Sequence, residues 1–116
     1  MLEDKAKDLG RMIGQSEEYQ AVKRSSEALN NDREATTLLR EMEKLRESAQ
    51  AMAERGEKPT AEMEQSLEEL FQKVQVMGSY QMAISAQDNF DKLMLRVNQW
   101  IADGIRKGAT SSIILG

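Results

Sequence analysis

The sequence predicts an all-α protein: an antiparallel helical bundle of about five helices, two of them long, with no strands. Three observations carry this. Apolar residues recur at alternating spacings of three and four, the period of a helix face. The 116 residues are 31% charged and only 4% aromatic, a balance that favours long helices over sheets. Helix-stopping and helix-starting residues then divide the chain at regular points, with a single proline.

Taken in order, Ala6, Leu9 and Ile13 place one stripe on a first helix over residues 3–13, with Glu3 and Lys7 an i,i+4 pair on its other side. Gly14 reads as a flexible C-cap and Ser16 as the next N-cap. Glu17 and Glu18 then sit in a first turn, where the helix dipole favours negative charge. The second helix, about 17–29, presents Tyr19, Val22, Ser26 and Leu29 on one face. Asn30 and Asn31 close it, and Asp32 caps a third helix with the clearest pattern in the chain: Ala35, Leu38, Met42, Leu45, Ala49 and Met52. That is a narrow apolar seam on a helix of about 34 Å.

Gly56 ends the seam, and Pro59 with Thr60 starts a fourth helix. So short a connection makes the two antiparallel neighbours. The fourth, about 60–77, carries Met63, Leu67, Leu70, Phe71, Val74 and Met77. Gly78 is expected to stop it and Ser79 to cap the last helix, which runs from Tyr80 through Ala83, Phe90, Leu93, Met94, Val97 and Ile101 to about Arg106. The domain reading is one helical domain over 1–107 with a flexible tail over 108–116. The long seams exceed what one subunit can cover, which predicts a homodimer or larger assembly.

Chemistry is sparse. With no Cys and no His, disulfides, thiolate or imidazole metal sites and His-based nucleophilic triads are excluded. No Gly-rich phosphate loop occurs, so no cofactor and no catalytic set is expected. Glu64 and Glu68 share a helix face within the cluster Glu62, Glu64, Glu68 and Glu69. A bundle metal site would add a Glu-x-x-His motif, so an acidic solvated face is the stronger reading. Lys23, Arg24, Arg33, Arg40, Lys44 and Arg46 form a basic stripe that offers RNA binding as an alternative function. Interleaved glutamates, the absence of an aromatic stacking platform and a net charge of −4 rank it below a protein partner.

Eight methionines are present. Met42, Met52, Met63, Met77 and Met94 fall on apolar stripes, whereas Met12 and Met82 do not. Trp100 stands beside Val97 and Ile101, where burial and an interface role are equally open. Tyr19, Met82 and Trp100 are the candidate interface residues. "MLEDKAKDLG" has no apolar core, so it does not read as a signal peptide. No run reaches the roughly 20 apolar residues of a membrane span.

Several stretches resemble the YlbF/YmcA family of small helical bacterial proteins. These are "A..LG.MIGQSEEYQAVKRSSEAL" from Ala6, "ATTLLREMEKL", "GEKPTAEMEQSLEELFQKVQ" and "YQMAISAQDNFDKLMLRVNQWIADGI", together spanning roughly residues 3–105. The Asn-Pro found before the last helix in relatives is here "VMGSY". The resemblance implies a cytoplasmic, oligomer-forming regulator without catalysis of its own, connected with competence, biofilm formation and sporulation. It also implies partnership with sister family proteins and with an endoribonuclease that matures messengers. Iron–sulfur clusters held by cysteines in some members do not carry over to a chain with no Cys.

Overall fold

A computed structural model describes the backbone of residues 1–115 and the side chains of residues 1–110. Five helices follow one another: α1 (Leu2–Gly14), α2 (Glu17–Asn31), α3 (Arg33–Glu54), α4 (Ala61–Gln75) and α5 (Gly78–Leu115). Among the described residues there are no strands. The chain groups into two compact units: Met1–Val22 with Ala86–Gly116, called unit 1, and Lys23–Ser85, called unit 2.

Unit 2 is organised by α3 and α4, the principal packed helix pair among the described residues. All six seam residues of α3 are wholly or partly buried, and Ala35 and Met42 are fully inside. From α4, Val74 is completely buried, which stabilises the fold by roughly 1.5–3 kcal/mol. Met63, Leu67, Leu70 and Met77 are half-buried on the same stripe.

The expected cap at Asp32 forms, and Thr60, expected as the start of the fourth helix, caps it. Asp32 Oδ1 accepts from the Ala35 amide at 3.1 Å, and Thr60 Oγ1 accepts from the Met63 amide at 3.1 Å. At the far end of α3, Gly56 has φ +79°, the one positive φ among the described residues. It lets the Glu57 amide reach the Met52 carbonyl at 2.8 Å while the Gly56 amide bonds to Ala53 at 3.0 Å. This is the paired closure of a Schellman motif, which satisfies carbonyls the helix end leaves open.

Two expectations in unit 2 are corrected. On α2 the buried serine is Ser25, not Ser26. Nor does Gly78 stop a helix with Ser79 as the next cap: α5 begins at Gly78 itself, with the Gln81 amide bonded to the Met77 carbonyl at 3.0 Å. Ser79 Oγ is instead drawn into a tertiary bond, donating to Asp32 Oδ2 at 2.7 Å.

In unit 1, Ser16 caps α2 as expected, its hydroxyl accepting from the Tyr19 amide at 3.1 Å and donating to the Ile13 carbonyl at 2.6 Å. Gln20 donates to the Gly14 carbonyl at 2.8 Å, tying the end of α1 to the start of α2. Gly14 is the last helical residue of α1, and Gln15 closes the helix in a right-handed conformation, so no left-handed glycine cap is needed there. Tyr19 meets Phe90 with ring centroids 5.5 Å apart and planes tilted by 60°, a favoured aromatic arrangement. Ala86 and Val97 are buried, whereas α1 contains no buried residue.

The last helix is also longer than its pattern predicts, running past Arg106 to Leu115. The small polar residues expected to trail off thus enter the helix. Thr110 bonds its hydroxyl to the Arg106 carbonyl at 3.0 Å, a local bond compatible with helical backbone. No proline interrupts this stretch.

Candidate interaction surfaces

The residues with interface potential lie in both units, and each is placed by its own helix. Trp100 is 59% exposed on α5, only three residues after Val97, which is 4% exposed. Val97, Trp100, Ile101 and Ile105 are spaced by three and four, so they share one side of the helix. Ile101 and Ile105 are also exposed. The apolar face of α5 therefore continues beyond the point where its own unit covers it. Tyr19 gives one side of its ring to Phe90 and keeps 37% of its surface exposed. Met82, in the N-terminal part of α5 within unit 2, is 62% exposed.

Several charges in unit 1 are paired locally. Lys7 pairs with Glu3 at 2.8 Å, Lys92 with Asp88 at 3.0 Å and Arg96 with Glu18 at 3.8 Å. Arg11 pairs with Asp8, and Arg106 with Asp103. Such exposed pairs contribute little to stability, about 0–1 kcal/mol each.

In unit 2, a shallow open cavity of about 400 Å³ runs between α3 and α4. Leu45 and Leu70 line it together with Glu41, Glu69, Lys44 and Lys73, an apolar strip among charges of both signs. A second open depression, about 470 Å³, is lined by Gln75, Tyr80, Gln81, Ile84 and Ser85. Neither brings together a nucleophile, a base and an oxyanion donor.

The basic residues Lys23, Arg24, Arg33, Arg40, Lys44 and Arg46 are all exposed, as are Glu41, Glu43 and Glu47 among them. Arg46 lies 3.9 Å from Glu43. In the acidic cluster, Gln72 donates to Glu68 at 3.2 Å and Gln65 to Glu69 at 3.4 Å. Among the described residues no group of three or more carboxylates is placed to hold a metal ion.

One polar junction escaped the sequence pattern: the link between Asp32 and Ser79. The Ser79 hydroxyl and then the Ala35 amide hold the Asp32 carboxyl below its ordinary value, with the Glu34 amide adding to them and partial desolvation opposing. Both residues are typical caps, and each reads locally as one. Only the fold brings them together.

Comparison with known proteins places these surfaces in context. The family described as "Control of competence regulator ComK, YlbF/YmcA" matches residues 2–106, from the start of α1 well into α5. The chain belongs to this family. A UPF0342 protein of Streptococcus pyogenes serotype M5 (strain Manfredo) is 34% identical over 84 residues, covering 72% of this chain and 74% of the relative. A UPF0342 protein of serotype M49 (strain NZ131) matches to the same extent. The YlbF/YmcA family is described by regulatory control, and the all-helical architecture is the one its resemblance implies. Among the described residues of this YlbF/YmcA member, no helix is long and apolar enough to cross a membrane.

Proposed function

We propose that this YlbF/YmcA protein is a non-catalytic regulatory adaptor of the cytoplasm, working by presenting helical surfaces to itself and to other proteins. The observation that carries the reading is the family match over residues 2–106. The exposure of Trp100 and Met82 supports it, because a large aromatic at a free apolar face is a favoured anchor for a protein partner. The partners in this reading are a second copy, sister proteins of the same family and the endoribonuclease with which the family is connected. Tyr19 contributes a supporting edge, positioned by Phe90. The pathway is one of those the family serves: competence, biofilm formation, sporulation or control of RNA processing.

The test is an affinity capture of the tagged full chain from its native host, with bound proteins identified by mass spectrometry. Recovery of sister family proteins or an endoribonuclease, diminished by Trp100→Ala while far-UV circular dichroism is unchanged, is the expected result. Recovery of the chain alone, under conditions that preserve weak complexes, would contradict the adaptor role.

A further inference from the structure

We propose that the open groove between α3 and α4 is a docking site for an amphipathic helix of another protein, one whose apolar heptad row carries a base and an acid on each flank. The proposal names a surface and a partner chemistry for the adaptor role, and it rests on that reading. Its first basis is how unevenly α3 is covered. Two apolar rows run along this helix, each repeating every seven residues. Ala35 and Met42 of one row lie fully inside, whereas Leu38, Leu45 and Met52 of the other are all only partly buried. On α4, Met63 and Leu70, again seven apart, are partly buried as well. Leu45 and Leu70 meet in the lining of the groove of about 400 Å³.

Two incompletely covered heptad rows beside one groove form the seat that a third helix takes in a coiled coil, its knobs entering holes that both walls supply. Helix-in-groove recognition works in this way, through anchors spaced by three, four and seven.

Charge selects the occupant. Glu41 and Lys44 line the α3 side of the groove, and Glu69 and Lys73 the α4 side. At comparable distances from the connection joining the two helices, Lys73 comes level with Glu41 and Glu69 with Lys44. All four are exposed, and among the described residues none of them is engaged in an ion pair. The pair on this part of α3 joins Arg46 to Glu43 instead. Opposite charges closed on each other across the groove would roof its apolar floor. Standing apart, they leave it open.

A nucleic-acid strand or an anionic membrane would meet a glutamate on either rim. An all-apolar segment would cover four charges and partner none, which is costly. A helix with one base and one acid a turn apart on each flank satisfies all four, and such flanking charges set partner choice and orientation. Nor does a second copy fit about a two-fold axis, because an isologous contact sets groove against groove and fills neither.

Fluorescence anisotropy with the full chain tests the proposal. The probe is a labelled synthetic peptide of three heptads, with leucine in the apolar row and a lysine and a glutamate on each flank facing the four rim charges. A peptide of the same composition in scrambled order is the control. The decisive variant is the exchange of Lys44→Glu with Glu69→Lys, which keeps the net charge and alters only exposed side chains. Leu70→Asp addresses the floor, and circular dichroism checks its fold. The expected result is saturable binding to the wild type, weakened at least about tenfold by the exchange and by a folded Leu70→Asp. A second probe with the two facing charges swapped should bind the exchanged chain within about threefold of the original pair.

A probe that fails to saturate by roughly 100 µM would overturn the proposal. So would a scrambled peptide that binds equally well, or an exchange that changes nothing. Displacement of the probe by single-stranded RNA, or a chain dimer that the exchange dissociates in sedimentation, would give the groove another occupant and overturn it too. The adaptor reading is tested separately: a chain that ignores the probe yet still captures sister proteins from its host removes this proposal and leaves that reading standing.

Discussion

In unit 2, α3 and α4 turn their apolar stripes towards each other, and Met42 and Val74 disappear from solvent. In unit 1, a stripe of comparable quality on α5 is covered up to Val97 and then left open at Trp100, Ile101 and Ile105. Both regions follow the same sequence rule, apolar residues every three or four positions. What separates them is the supply of a facing surface. A short connection through Gly56 and Thr60 returns the chain directly onto α3. The short α1, by contrast, offers no buried residue of its own. Periodicity therefore reports that a face is meant to be covered, and says nothing about whether the cover lies in the same chain.

The difference can be broken most sharply by truncating a covered side chain. Met42→Ala is expected to cost about 2–5 kcal/mol by lost burial and cavity formation, read as a lowered denaturant midpoint. Trp100→Ala should cost less than about 1 kcal/mol, since substitutions at exposed positions have small effects. Equal costs would mean that the two units are covered alike.

The closure of α3 gives the next effect. Gly56→Ala places a Cβ in left-handed backbone, where the strain is expected to destabilise by about 1 kcal/mol. Thr60→Ala removes the cap of α4 and should cost a similar amount, about 1 kcal/mol. Thermal denaturation of each variant measures both.

Acid should loosen unit 2 through Asp32. Its carboxyl is held below the ordinary value of 3.8 by Ser79 and the Ala35 amide. The stabilisation is therefore complete above that value and is lost as pH falls through the depressed one. Acid titrations of stability should be shallower for Asp32→Asn than for the native chain below about pH 4. Identical slopes would show that the Ser79 junction contributes nothing.

The smallest effect has the opposite sign. Gly10 lies inside α1, and a Cβ there would meet nothing within 4 Å. Gly10→Ala should stabilise unit 1 by roughly 0.4–1 kcal/mol through helix propensity alone. A loss of stability would reveal a contact that α1 is not seen to make.

Much of the fold was legible because it is locally encoded. The seam from Ala35 to Met52, the caps at Ser16 and Asp32, the helix start at Thr60 and the stop at Gly56 each depend on spacings of a few residues. The misreadings share a cause of another kind. Gly78 and Ser79 look like punctuation, but a hydrogen bond to Asp32, 47 positions away, recruits the serine. Ser25 and Ser26 are chemically alike, so only packing decides which is buried. The end of α5 carries no strong stop signal before Leu115, and small polar residues alone do not break a helix. As for the candidate surfaces, Trp100 was recognisable as a candidate anchor by its type. Its exposure was not, because that depends on what fails to pack against it.

Hydrogen exchange at two protein concentrations tests the central claim most directly, since it reads the two units separately in one experiment. The account predicts that protection in residues 86–110 rises with concentration while protection in residues 33–75 stays constant. Protection independent of concentration throughout, from roughly 1 to 100 µM, would contradict it.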